Sequence, residues 1–106
     1  MINYGKQSLD YKDIKEVIKV LKTDFITQGN KINEFEKLFN KIYKFKYSVA
    51  LNSGTSALHL ALLTSGIGKN DLVITPSYTF AATANAITYT GATPWFFDCD
   101  KDFLLD

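Results

Sequence analysis

The sequence predicts an α/β fold: a mostly parallel sheet with helical crossovers. Three observations carry this. Short runs rich in β-branched and aromatic residues, Tyr47–Leu51, Leu72–Thr75 and Trp95–Phe97, alternate with longer runs that suit helices. Strands spaced by helix-length segments pair in parallel, because a parallel pair needs a crossover between its members. Gly66, Gly68, Pro76 and Gly91 fall at the junctions, where turns and helix exits need them.

Taken in order, the first helix spans about Tyr11 to Thr23, capped by Asp10 or Ser8. Ile14, Val17, Ile18 and Leu21 form one apolar stripe, and Lys12, Lys15, Glu16, Lys19 and Lys22 fill the other face. The loop Asp24–Asn30 holds two hydrophobes, Phe25 and Ile26. A second amphipathic helix repeats the spacing with Phe35, Leu38, Phe39 and Ile42, with Asn30 or Asn33 as its cap. The first strand is about Tyr47 to Leu51. A helix runs from Gly54 to about Ser65, with Gly66 and Gly68 as its left-handed exit. The second strand is Leu72–Thr75, stopped by Pro76. A core helix from about Phe80 to Tyr89 ends at Gly91, and the third strand is Trp95–Phe97. Three strands are fewer than the roughly four to six of an ordinary sheet. The chain therefore reads as the front part of a larger domain. Residues 1–45 are an N-terminal helical segment, and residues 46–106 are the first, incomplete part of an α/β domain.

Composition narrows the function. With 46% hydrophobic and 14% aromatic residues among 106, the chain has material for a core and is not a disordered segment. A net charge of +1 gives no argument for nucleic acid or an anionic membrane. All 12 basic residues are Lys, so no guanidinium fork is available for a pyrophosphate or carboxylate. A single cysteine, Cys99, excludes an internal disulfide framework. The N-terminus has no apolar leader and no run reaches membrane-spanning length, so a cytoplasmic location is the default expectation.

The most informative stretch is Asn52-Ser53-Gly54-Thr55-Ser56-Ala57-Leu58, a hydroxyl-rich turn between a strand and a helix. Free N–H groups at a helix start, with hydroxyls from Ser53, Thr55 and Ser56, make a phosphate site. Gly54 lets an anion approach the backbone. The plainer reading makes Ser53 or Thr55 an ordinary N-cap. No Lys follows the glycine, so this is not a Walker loop, nor is it the three-glycine dinucleotide turn.

Ligands of open α/β sheets bind beyond the carboxyl ends of the strands. The second strand end, Thr75–Asn85, places Phe80 at the mouth of the same edge. Ala81, Ala82 and Ala84 leave room for close packing there. A flat ring could stack on Phe80 while its phosphate meets the first turn. Core packing for Phe80 and a surface amide for Asn85 are the plainer alternatives. His59, among leucines, reads as a half-buried structural side chain. Asp98, Asp100 and Asp102 read as a solvated loop, since the glycine and later Glu of a calcium loop are missing.

Together, Asn52–Leu58 and Thr79-Phe80-Ala81-Ala82-Thr83-Ala84-Asn85 resemble the DegT/DnrJ/EryC1/StrS family of pyridoxal-phosphate sugar aminotransferases. Tyr4–Asp10 and Phe25–Gly29 match that family as well, so the resemblance covers nearly the whole chain. It implies the N-terminal part of a fold type I large domain, pyridoxal 5'-phosphate as cofactor, and a homodimer. It implies that Gly54, Thr55 and Ser56 hold the phosphate and Phe80 stacks on the pyridine ring. Asn85 would lie near the ring, and Tyr4, Thr27 and Gln28 would face a nucleotide-sugar. The likeness is strongest to members of pseudaminic acid biosynthesis. These move an amino group from L-glutamate to C4 of a UDP-linked 4-keto-6-deoxy-N-acetylhexosamine. The Schiff-base Lys and the pyridinium Asp of such enzymes lie downstream of the matched region, so no catalytic residue is expected in this segment, which alone would be inactive. A non-catalytic α/β module that binds a phosphate ligand is the alternative.

Overall fold

The computed structural model describes residues 5–106. The chain divides between Ala50 and Leu51 into two compact units.

The first unit holds α1 (Tyr11–Leu21) and α2 (Asn30–Tyr43). Asp10 caps α1. Its carboxylate accepts the N–H of Lys12 at 2.7 Å and of Asp13 at 3.1 Å. Asp13 reciprocates by accepting the Asp10 N–H at 2.9 Å, which closes a capping box. The helix ends with its apolar stripe at Leu21, two residues short of the expected Thr23, because the Thr23 hydroxyl and N–H both turn back to Val20 O. Neither Asn30 nor Asn33 caps α2. The N-cap is Gly29, without a side-chain bond. A Cβ there would stand 2.9 Å from the backbone oxygen of Phe25, so the close pass of the loop selects glycine over a capping side chain. Phe39 gathers the aromatics of this unit, its ring 4.5 Å from Tyr43 and 6.1 Å from Phe45.

Glu16 binds Lys19 and, at 2.9 Å, Lys31, which also reaches Glu34 at 2.7 Å. The ammonium groups of Lys19 and Lys31 hold the Glu16 carboxyl at about 2, and Glu34 with Glu16 pushes Lys31 up to about 12. These ion pairs join α1 to the start of α2 across the intervening loop.

The expected strand at Tyr47–Leu51 does not form. A strand is defined by its ladder, and this segment is bound to a helix instead. Ala50 N–H donates to the Glu36 carboxylate at 2.7 Å, and the Ser48 hydroxyl donates to Glu36 O at 3.1 Å.

The second unit holds α3 (Gly54–Thr64), β1 (Leu72–Pro76), α4 (Ala81–Tyr89) and β2 (Thr93–Phe97). β1 and β2 pair in parallel from Leu72↔Thr93 to Pro76↔Phe97, with α4 as the crossover. Ser77 N–H extends the ladder to Phe97 O at 2.8 Å. Helix α4 packs on α3 and on both strands. Its buried residues Ala82 and Ala86 are small enough for the backbones to close, and Ile87, Ala92 and Thr75 complete the core. Of the two glycines expected at the α3 exit, Gly66 alone takes the left-handed region, at φ +80°. His59 is half-buried, edge-on to Tyr89 at 5.7 Å. Leu72, Ile74, Trp95 and Phe97 share one sheet face by their alternation, and the first three keep more than half of their surface exposed.

Beyond β2, the Asp100 carboxylate accepts the N–H of Asp102 at 2.8 Å and of Leu104 at 2.9 Å. This organises a turn that carries Phe103 at φ +61°. Among the described residues no helix is long and apolar enough to cross a membrane.

Candidate functional site

Ser53 resolves the capping question. Its side chain accepts the Ser56 N–H at 3.1 Å, so Ser53 is the N-cap of α3 and Thr55 is not. The Ser56 hydroxyl is drawn into the same network, 3.0 Å from Ser53 Oγ and donating to Asn52 Oδ1 at 2.7 Å. Gly54 and Thr55 are the first two residues of the helix, whose N–H groups have no intrahelical acceptor.

A cleft of about 650 Å³ opens beside them, lined by Gly54, Thr55, Ala57, Leu58, Ala61, Phe80, Ala82 and Thr83. It brings together the end of one connection and the end of another. Gly54 and Thr55 open α3, while Phe80 is the N-cap of α4, with Ala82 and Thr83 in that helix's first turn. Residues from the starts of both helices therefore line one space. The lining carries no charged side chain, so the backbone supplies the field for an anion. A Cβ at Gly54 would meet no protein atom within 4 Å, which leaves the approach to the N–H groups clear. Phe80 is 80% exposed, an aromatic face without packing of its own.

Of the residues singled out in the sequence, the cleft unites Gly54, Thr55 and Phe80. Ser56 belongs to the capping network. Asn85 stands exposed on α4, outside the lining. Thr27 and Gln28 are exposed in the loop between α1 and α2, with Gln28 at φ +53°. They do not line the 280 Å³ cavity of that unit, which is walled by Phe25, Ile26 and Ile32 among others. Tyr4 lies outside the described residues. Sequence reasoning passed over Thr83, whose hydroxyl lies 3.0 Å from Thr79 Oγ1 at the cleft wall. Its signal was the three-residue step from Phe80, which returns a helix to nearly the same face.

Residues 7–106 match the profile described as the DegT/DnrJ/EryC1/StrS aminotransferase family. The chain belongs to this family. A relative within it is the UDP-4-amino-4,6-dideoxy-N-acetyl-beta-L-altrosamine transaminase of Campylobacter jejuni, 43% identical over 106 residues. The match takes 100% of this chain and 28% of the relative. GDP-perosamine synthase of Caulobacter vibrioides is 44% identical over 107 residues, covering 99% of this chain and 29% of the synthase. Among solved structures, the PLP form of Spr1654 from Streptococcus pneumoniae aligns over 99% of this chain and 27% of its own, with 35% identity and a TM-score of 0.94. The chain thus spans just over a quarter of the length of these family members. Its α/β unit has the fold of the PLP-dependent aminotransferases, mostly parallel sheet with helical crossovers.

Proposed function

We propose that this chain is the cofactor-phosphate and ring-stacking part of a pyridoxal-phosphate sugar-nucleotide aminotransferase. The observation that carries the reading is the cleft that unites Gly54 and Thr55 with Phe80. The donor set fits the cofactor. The N-terminus of α3 offers the N–H groups of Gly54 and Thr55 to a dianionic phosphate, and a glycine keeps the approach open. An exposed aromatic face stands across the cleft for a flat ring. The Gly54 and Thr55 N–H groups and the Thr55 hydroxyl hold the phosphate, and Ser56 supports them through the turn. Phe80 covers one ring face, and Asn85 serves the ring's surroundings from α4. When bound, pyridoxal phosphate carries the amino group and draws electrons from the carbon that loses a proton.

L-glutamate is the amino donor, and the acceptor is C4 of a UDP-linked 4-keto-6-deoxy-N-acetylhexosamine, as in pseudaminic acid biosynthesis. The name of the Campylobacter relative supports this. The family resemblance assigns Tyr4, Thr27 and Gln28 to substrate contacts and the working enzyme to a cytoplasmic homodimer. The test has two arms. The protein should bind pyridoxal phosphate at least tenfold more tightly than pyridoxal, and the full-length enzyme that carries this segment should aminate the UDP-linked ketone in preference to a GDP-linked one. Equal affinity for pyridoxal would overturn the phosphate site. Preference for the GDP sugar would overturn the acceptor alone. Phosphate affinity untouched by loss of the Phe80 ring would favour a non-catalytic phosphate-binding module.

A further inference from the structure

Phe80 raises a problem that its own contacts do not solve. A side chain 80% exposed has no packing to fix its direction, so the backbone of the β1–α4 connection must do it. Both ends of that connection are anchored. Ser77 N–H donates to Phe97 O at 2.8 Å, and Thr83 N–H donates to Phe80 O at 2.9 Å. Between them stands Tyr78, itself 71% exposed, whose one aromatic neighbour among the described residues is the ring of Phe103 at 5.1 Å. Phe103 sits at φ +61°, a conformation that a bulky side chain seldom adopts. Hydrogen bonds on either side enforce it. The Asp100 carboxylate takes the N–H groups of Asp102 and Leu104, Phe103 N–H reaches Asp100 O at 3.1 Å, and Asp100 N–H reaches Leu104 O at 2.8 Å.

The geometry points to a buttress: Asp100 holds Phe103 against Tyr78, and this contact sets the direction of Phe80 toward the bound ring. The inference rests on the proposed cofactor reading. Tyr78 and Asp100 are positioning residues that act through Phe80 and touch no ligand. A strained backbone held at φ +61° persists where its surroundings over-determine it, and here they are built around one ring contact.

Phe103→Gly separates this role from plain stability. Glycine suits the left-handed conformation, so the fold should be kept or strengthened, while the ring is lost. The visible circular dichroism of bound pyridoxal phosphate reports ring orientation, and a titration reports its Kd. Phe103→Gly, Tyr78→Ala and Asp100→Ala should each diminish the dichroic band and weaken binding about two- to tenfold, the range of one aromatic contact. Tyr78→Phe and Asp100→Asn keep the ring and the acceptor and should restore both readouts. The Tyr78→Ala/Asp100→Ala pair should be no worse than the stronger single, because both remove one contact. A parental band and Kd in Phe103→Gly, or additive losses in the pair, would overturn the buttress while the cofactor site stands. A parent protein that does not bind pyridoxal phosphate would overturn both.

Discussion

Phe80→Ala separates ligand stacking from core packing, because the two make opposite predictions for stability. The ring is 80% exposed, so little apolar area is buried within the chain. Truncation should shift unfolding by no more than about 0.5 kcal/mol, as for a surface substitution. Its cost should fall on the cofactor. One ring face is roughly a third of the ~200 Å² that an aromatic side chain buries, which at ~25 cal/mol/Å² is about 1.7 kcal/mol. Stacking adds about 0.5–1.5 kcal/mol. The sum, about 2–3 kcal/mol, is roughly a 30- to 150-fold rise in the Kd for pyridoxal phosphate. In the full-length enzyme, turnover should stay low at saturating cofactor, since the ring is less well oriented. An absorbance titration alongside urea melts of parent and variant measures both quantities. A stability loss above about 1 kcal/mol with unchanged cofactor affinity would show that Phe80 is a packing residue and refute the cleft as the ring's site.

Other perturbations separate the remaining roles. Thr55→Ala should weaken cofactor binding roughly 10- to 100-fold by removing a charge-assisted hydroxyl bond, and in the full-length enzyme added pyridoxal phosphate should restore activity. Ser53→Ala should instead lower thermal stability by about 1 kcal/mol, the value of an N-cap, and equal cofactor losses in both variants would count against this division. Gly29→Ala puts a Cβ 2.9 Å from Phe25 O. It should destabilise the helical unit by roughly 1–3 kcal/mol in denaturant melts, and a neutral result would show that the loop yields freely. The Glu16 carboxyl, at about 2 when folded against an ordinary 4.5, contributes stability that is present above pH 4.5 and lost as pH falls toward 2. Glu16→Gln should flatten that part of the acid-unfolding profile, and added salt should weaken the contribution in the parent.

The helices were legible where local chemistry alone decides. Asp10 was one of two candidate caps ahead of an apolar stripe, and its reciprocal bond with Asp13 decides between them. The Gly54 turn and Phe80 do meet, but not as two strand ends of one sheet: Phe80 follows β1, while the Gly54 turn reaches the cleft through the packing of α3 on α4. Tyr47–Leu51 was misread because strand-like alternation does not supply a partner, and Glu36 took the Ala50 N–H. The choice among the hydroxyls of Ser53, Thr55 and Ser56 was hidden for a different reason. All three can cap, and the identity of the consumed ones follows only when the first helical residue is fixed. The α2 cap was hidden because a backbone approach from Phe25, rather than a side-chain preference, put glycine there.

The half-open face of the two-stranded sheet has an experimental use. Trp95 is the chain's single tryptophan, and it stands on that face with its ring 5.6 Å from Phe97. Indole emission moves to shorter wavelengths as water leaves the ring. The native protein therefore carries its own optical gauge of whatever comes to cover Leu72 and Ile74, with no label attached. Because Phe80 and Thr55 line a cleft that does not include Trp95, this gauge reads assembly on the sheet separately from filling of the cleft.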